Sequence, residues 1–260
     1  PGPTTGSKVT ELYDGSSWTT GNNTNINRSY TTRAGTQTDA VCAGGYGQIT
    51  TTETFNGTSW STSPATLGNG NQDFAGADGT STAAFACGGN LGPTFTSATE
   101  EYNKSTNAIT GGAWASGGAL NQARYQMAGC GTLTAGLAFG GYGPAETGKT
   151  EEYNGTSFSE QNDMGTARYE MGNGNGTQTA ALCSAGRTDT AHGGGAQAFV
   201  EEYNGTSWSE VNNLPGDRTA HGSAGPQTAS IIALGKSAPP APSVVTTSLH
   251  YDGTNWTSGG

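Results

Sequence analysis

Val200-Glu201-Glu202-Tyr203-Asn204-Gly205-Thr206-Ser207-Trp208-Ser209 runs an acidic–aromatic stretch into an Asn-Gly dipeptide and out to a second aromatic. Residues of this type favour a half-buried pleated surface, and Asn-Gly is expected to supply positive φ at both corners of a tight hairpin. The phrase occurs six times along the 260 residues, pairing Tyr13 with Trp18, Phe55 with Trp60, Tyr102 with Trp114, Tyr153 with Phe158, Tyr203 with Trp208 and Tyr251 with Trp256. The first aromatics are spaced by 42, 47, 51, 50 and 48 residues. A period of about 40–50 residues built from short strands marks the blades of a propeller.

Working outward from that hairpin completes one repeat. Thr179-Ala180-Ala181-Leu182-Cys183-Ser184-Ala185-Gly186 is a small, apolar run, as expected for a strand covered on both faces. Upstream, Arg168-Tyr169-Glu170-Met171 begins a first strand expected to end in the turn Asn173-Gly174-Asn175-Gly176. Four antiparallel strands make one blade. The expected fold is therefore all-β, a single propeller domain over 1–260, with a half blade at 7–20 and blades at about 28–62, 71–116, 124–160, 168–210 and 218–257. Together with an opening at Pro1 that carries neither Met nor a charged-then-apolar leader, the half blade leads to the expectation of a longer polypeptide with six or seven blades.

Apolar residues make up 32% and charged residues 12% of the chain, with 44 glycines and 22 aromatic residues. Low charge and regularly placed rings argue for thin, closely approaching sheets and against disorder. A net charge of −10 disfavours binding to bare nucleic acid or an anionic membrane. No stretch approaches the roughly 20 apolar residues that span a bilayer. Cys42, Cys87, Cys130 and Cys183 come from different repeats without C-x-x-C spacing, and read as small fillers of packed strands.

An Arg opens the repeat at Arg28, Arg124, Arg168 and Arg218, and is missing near Asn71. A Glu stands two residues before the aromatic at Glu11, Glu53, Glu100, Glu151 and Glu201, with Leu249 in the last copy. Period 2 puts that Glu on the face of the buried ring, so Arg–Glu pairs are expected within or between blades. The small apolar runs close in Gly44-Gly45, Gly88-Gly89 and Gly140-Gly141, and are expected to decay to Gly186-Arg187 and Gly235-Lys236. The combination of Arg, Gly-Gly, Glu-x-Tyr-Asn/Asp and Trp resembles the kelch repeat, which implies a β-propeller.

In such blades the loops between strands 2 and 3 share one rim and the tight hairpins the other. The first set varies in length and carries Tyr46, Tyr142, Arg187, His192 and Lys236, the expected binding rim. The insert Lys104–Gly112 is the one irregularity of the hairpin rim. Catalysis has little support. His192, His221 and His250 lie in different repeats with no ligand spacing, and no nucleophile, Walker or dinucleotide motif appears. No catalytic, cofactor or metal residues are expected. The Asn-Gly-Thr sequons at Asn56, Asn154 and Asn204 are by-products of the turn.

The style of the repeats, such as Ala135-Gly136-Leu137-Ala138-Phe139-Gly140-Gly141, is similar to repeat proteins of aquatic bacteriophages. That resemblance implies a non-enzymatic virion structural or tail-fibre protein at the particle surface or outside the cell. It would be present in multiple copies and would bind host glycan or another virion protein. A kelch-type protein adaptor and a secreted bacterial lectin or glycan-active enzyme are the alternatives.

Overall fold

The computed structural model describes residues 6–73, 79–92, 94–104, 113–188, 195–237 and 244–259. Five antiparallel blades are arranged as a β-propeller, and no helix is found among the described residues. The first blade is β3 (Thr32–Thr36), β4 (Asp39–Ala43), β5 (Thr51–Phe55) and β6 (Trp60–Thr66). In the second, β7 (Ala83–Cys87), β8 (Thr99–Asn103) and β9 (Ala113–Gly117) pair in order, and a Gly79–Ala84 bridge marks the inner edge. The third blade holds β10 (Ala128–Thr132), β11 (Ala135–Phe139), β12 (Thr150–Tyr153) and β13 (Phe158–Glu160). The fourth holds β14 (Asn175–Thr177) and β15 (Ala180–Ser184), with β16 (Arg187–Thr188) and β17 (Gly195–Ala196) pairing in its loop, then β18 (Val200–Tyr203) and β19 (Trp208–Glu210). β20 (Gly222–Ala224), β21 (Ser230–Ala233), β22 (Ser248–Tyr251) and β23 (Trp256–Ser258) form the fifth.

β1 (Glu11–Tyr13) and β2 (Trp18–Thr20) form the N-terminal hairpin. It lies between the fifth blade and the first. The Tyr13 hydroxyl is 3.1 Å from His250 Nε2 on one side, and Trp60 Nε1 donates to Thr10 Oγ1 at 2.9 Å on the other. Trp18 is 42% exposed, because a two-stranded sheet offers its neighbours less area to cover the ring. The aromatics of the five blades behave as expected: Phe55, Tyr102, Tyr153, Tyr203 and Tyr251 are buried, and each packs on its hairpin partner with ring centres 4.6–5.3 Å apart.

The seams between blades repeat one pattern. Tyr203 donates to Glu152 Oε1 at 3.1 Å and Tyr251 to Glu202 Oε1 at 3.0 Å, each reaching the residue before the aromatic of the preceding blade. Tyr153 bonds Glu101 in the same way. His250 holds this position for Tyr13, and where the preceding hairpin presents Leu12 the next ring is Phe55, which has no hydroxyl. The indoles follow suit: Trp114 and Trp208 donate to Thr52 and Thr150 of the preceding blade. Phe158 has no N–H, and the equivalent buried Thr99 hydroxyl has no hydrogen-bond partner among the described residues.

Arg–Glu pairing occurs within blades. Arg28 bonds Glu53 at 3.0 Å and Arg168 bonds Glu201 at 2.7 Å, while Arg124 pairs with Glu151, all deeply buried. Asn71 takes over one Arg duty by donating to Gly88 O at 2.7 Å, and Glu100 keeps the backbone bond, from the Gly68 N–H at 2.6 Å, that Glu53, Glu151 and Glu201 also accept. Arg218, opposite Leu249, satisfies itself on the carbonyls of Leu234 and Thr247.

Three local expectations are corrected. The glycine-rich stretch near 174–176 is not the turn but the first strand itself, and the chain reverses after Thr177. Glycine is needed at Gly174 because a Cβ there would lie 2.5 Å from the Phe139 ring of the preceding blade. The Asn-Gly hairpins are not two-residue turns. Four residues separate Tyr203 from Trp208, only the Gly has positive φ, and Asn204 Oδ1 accepts from the N–H groups of Thr206 and Ser207, both at 2.9 Å. Asp14 and Asp252 accept the same bonds, which explains why Asp and Asn interchange. Finally, the eroded glycine pairs are Ala185-Gly186 and Leu234-Gly235. Ala185 (φ 57°) and Leu234 (φ 62°) keep the left-handed conformation that Gly44, Gly88 and Gly140 adopt without strain.

The four cysteines are buried, and burial pushes Cys87 and Cys183 up to about 12. They fill strands, as expected.

Candidate functional site

Two residues after each repeat Arg, or after Asn71 in the second blade, the backbone turns left-handed on a non-glycine residue. These residues are Tyr30, Asp73, Gln126, Glu170 and Ala220, with φ between 51° and 56°. Such a conformation costs about 1–2 kcal/mol in an L-residue and persists only where the surroundings impose it. Here the N–H of Gln126 bonds Asp73 O at 3.2 Å, that of Glu170 bonds Gln126 O at 3.0 Å and that of Ala220 bonds Glu170 O at 2.8 Å. The result is a backbone relay running from blade to blade around the axis. All five side chains line a cavity of about 420 Å³ at the channel mouth.

The fixed backbone carries an aromatic, two carboxylates of different length, an amide and a methyl group. Positions that serve the fold repeat their residue from blade to blade; this one does not repeat once. Sequence reasoning missed the ring. The available signal was the lack of any shared identity two places after an otherwise conserved-in-repeat Arg.

A second, outer ring surrounds the first and contains the expected rim residues. Tyr46, Tyr142, Arg187 and Lys236 occupy one equivalent position, just after the glycine pair, with Asn90 in the second blade. Each pairs with the residue following the repeat Arg or its Asn71 counterpart: Tyr46 N donates to Ser29 O, and bridges join Asn90 to Gln72, Tyr142 to Tyr125, Arg187 to Tyr169 and Lys236 to Thr219. This places four of the five expected side chains on the rim of one mouth. His192 and the insert 105–112 lie outside the described residues.

Across the second to fourth blades the rim becomes aromatic. Phe95 stacks on Tyr125 with centres 4.5 Å apart, Tyr142 meets Tyr125 edge-on at 5.7 Å, and Tyr142 meets Tyr169 at 5.1 Å. Phe95 is 41% exposed, and burial raises the Tyr125 and Tyr169 hydroxyls above their ordinary range. The strip therefore presents flat, neutral, partly exposed rings beside polar groups.

Those polar groups are only partly satisfied. Glu170 accepts from the Thr219 hydroxyl at 3.2 Å and from Gln126 Nε2 at 3.3 Å, with Arg187 at 4.0 Å. Asp73 Oδ1 is buried without a hydrogen-bond partner among the described residues. Burial, reinforced by the charge of Glu170, lifts the Asp73 carboxyl to about 6 against a weaker opposing bond from Gln72. His221 is buried on the cavity wall, its Nε2 3.1 Å from Ser184 Oγ and its Nδ1 without a partner among the described residues. Burial, then the positive charges of Arg218, Arg33 and Arg168, push it down to about 3, so it is neutral at pH 7.

The mouth thus combines an unpaired acceptor, an amide and, on the neighbouring rim, flat aromatic rings, a mixture of hydrogen-bonding and apolar contact surfaces.

No protein-family profile matches the chain, and no curated protein does. Among solved structures the chain is similar to one described as "Structure of YjhT", at 12% identity over 99% of this chain and 98% of that one, with a TM-score of 0.73. At that identity the likeness shows the fold alone, a β-propeller.

Proposed function

We propose that the protein is a non-enzymatic adhesion module that binds glycan through the rim carrying the strand 2–3 loops. One observation carries this reading. At the channel mouth the repeat keeps its backbone and abandons its residue identities, and the side chains found there combine aromatic faces with unpaired polar groups. A propeller fold is consistent with a binding role, and variable side chains on a rigid scaffold are where recognition concentrates.

The setting we propose is the exterior of a bacteriophage virion, where many copies would convert modest single-site affinity into firm attachment. Support for the virion comes from the kelch-like blades and their Thr/Ser/Asn/Gly style, similar to repeat proteins of aquatic phages, and from the low charge of the chain. Tyr125, Tyr142 and Tyr169 supply stacking faces, and Asp73, Gln126 and Glu170 supply bonds to hydroxyls.

Immobilised glycans probed with the wild type and with Tyr125→Ala test the assignment. The expected result is selective binding that the substitution lowers about tenfold, in line with the loss of one buried aromatic contact. Absence of glycan binding, with capture of a single protein partner instead, would replace this reading with the adaptor.

A further inference from the structure

Arg33 breaks the repeat. It pairs with Cys42 in the position that Gly129, Gly174 and Ser223 occupy in the third, fourth and fifth blades. Those small residues lie where the blade accepts its neighbour: a Cβ on Gly174 would strike Phe139. Arg33 instead lines the mouth cavity and the adjoining 480 Å³ of the channel, and makes no hydrogen bond or ion pair among the described residues. The other cavity-lining cation that belongs to the repeat, Arg28, is only 8% exposed and spends its Nε and Nη1 on Glu53 and two carbonyls. Its Nη2 is buried with no partner among the described residues, a feature of the repeat that the guanidinium groups of Arg124 and Arg168 share, so Arg33 is the cation left for a ligand.

His221 adds an unpaired Nδ1 on the same wall, and Lys236 stands at the mouth. Thus three of the ten Lys and Arg residues of an acidic chain line one cavity. Buried polar atoms without partners are rare in folded proteins, and each signals a missing bonding partner. Among the cavity-lining residues, Arg33 and His221 bring nitrogens without partners from the first and fifth blades, and Asp73 Oδ1 brings an unpaired acceptor from the second.

We propose that this cavity receives a carboxylated sugar unit of the uronic acid class. Its carboxylate would sit against Arg33, and its hydroxyls would reach Asp73 and Gln126. The proposal rests on the glycan reading above and names the ligand class. A guanidinium matches a carboxylate with two parallel bonds and discriminates it from a hydroxymethyl group of similar size.

The test is calorimetric titration with methyl β-galacturonide and methyl β-galactoside, which differ only in carboxylate against hydroxymethyl, and with inorganic phosphate. The wild type should bind the uronide at least about tenfold more tightly than the neutral sugar. Arg33→Gln should abolish that preference by bringing the uronide down to the affinity of the neutral sugar, with the melting temperature within about 2 °C of the wild type, and Lys236→Gln should reduce it less. Equal binding of both sugars, or a preference that survives R33Q, overturns the proposal and leaves the glycan reading standing. Phosphate matching the uronide would also overturn it, since the site would then recognise charge alone. A wild type that binds neither sugar, nor any immobilised glycan, sinks both readings.

Discussion

The seams between blades and the mouth of the channel are built from the same repeat and use it in opposite ways. Along the seams most residues recur because the next blade presents the same surface: Tyr153 finds Glu101, Tyr203 finds Glu152 and Tyr251 finds Glu202, with His250 standing in for the Glu opposite Tyr13. At the mouth the backbone recurs, with five left-handed turns within 5° of one another, and the side chains differ at every copy. Packing tolerates little variation where both partners are close-packed. A side chain projecting into a water-filled opening meets no such restraint, so its identity is free to answer to a ligand.

The strongest way to break this contrast is in the packed interior of a blade, where the repeat is equally strict. Arg168→Ala should destabilise the protein by about 3–5 kcal/mol, since it strands Glu201 in a dry interior. Replacing both partners with Met and Leu should recover most of that loss. Urea unfolding measures both, and a single-variant loss below about 1 kcal/mol would show that the pair matters little.

Gly174→Ala comes next, at about 1–3 kcal/mol, because the added methyl meets Phe139. Phe139→Leu in the G174A background should relieve part of the cost, and additivity of the two losses would argue that the sheets do not interlock there.

The mouth contributes a pH dependence of mixed sign. His221 has a folded value of about 3, below its unfolded 6.5, so the unfolded chain binds the extra proton and stability falls as pH drops through that window. Asp73, raised from 3.8 to about 6, takes its proton earlier in the folded state and opposes that loss between about pH 6 and 4. Melting temperatures of His221→Gln should therefore rise from pH 6 to 4 relative to the wild type. Parallel profiles would mean that His221 is not held neutral.

Smaller still is Leu234→Gly, which releases a left-handed leucine and should stabilise by about 0.5–1 kcal/mol. Smallest is the mouth's share of stability: Tyr125→Ala and Gln126→Ala should each shift it by under about 1 kcal/mol while weakening glycan binding. A large loss of stability without a loss of binding would erase the distinction between seam and mouth.

Most of the fold was legible because its determinants are local and repeated. The Glu-x-Tyr rhythm, the glycines and the Arg of each copy announce strands, blade order and the Arg–Glu pairs. The hairpin geometry was misread because Asn-Gly suits several turns, and only the four-residue spacing of the paired strands reveals Asn204 as an acceptor. The frame of the eroded glycine pairs was likewise hidden, because alanine and leucine do not advertise positive φ. Tyr142, Arg187 and Lys236 could be picked from loop variability; Asp73, Gln126 and Glu170 could not, since each lies in a different repeat and resembles ordinary surface polarity.

By itself the sequence determined that short strands would stack as blades, that aromatics would fill their seams and that one rim would carry the variable loops. These follow from periodicity and from the chemistry of near neighbours. Tertiary structure alone decided which side chains from five distant repeats face one opening, that Arg33 stands among them without a partner among the described residues, and that the N-terminal hairpin lies between the last blade and the first. Convergence on an axis depends on how each blade is rotated against the next, and no local pattern encodes that angle.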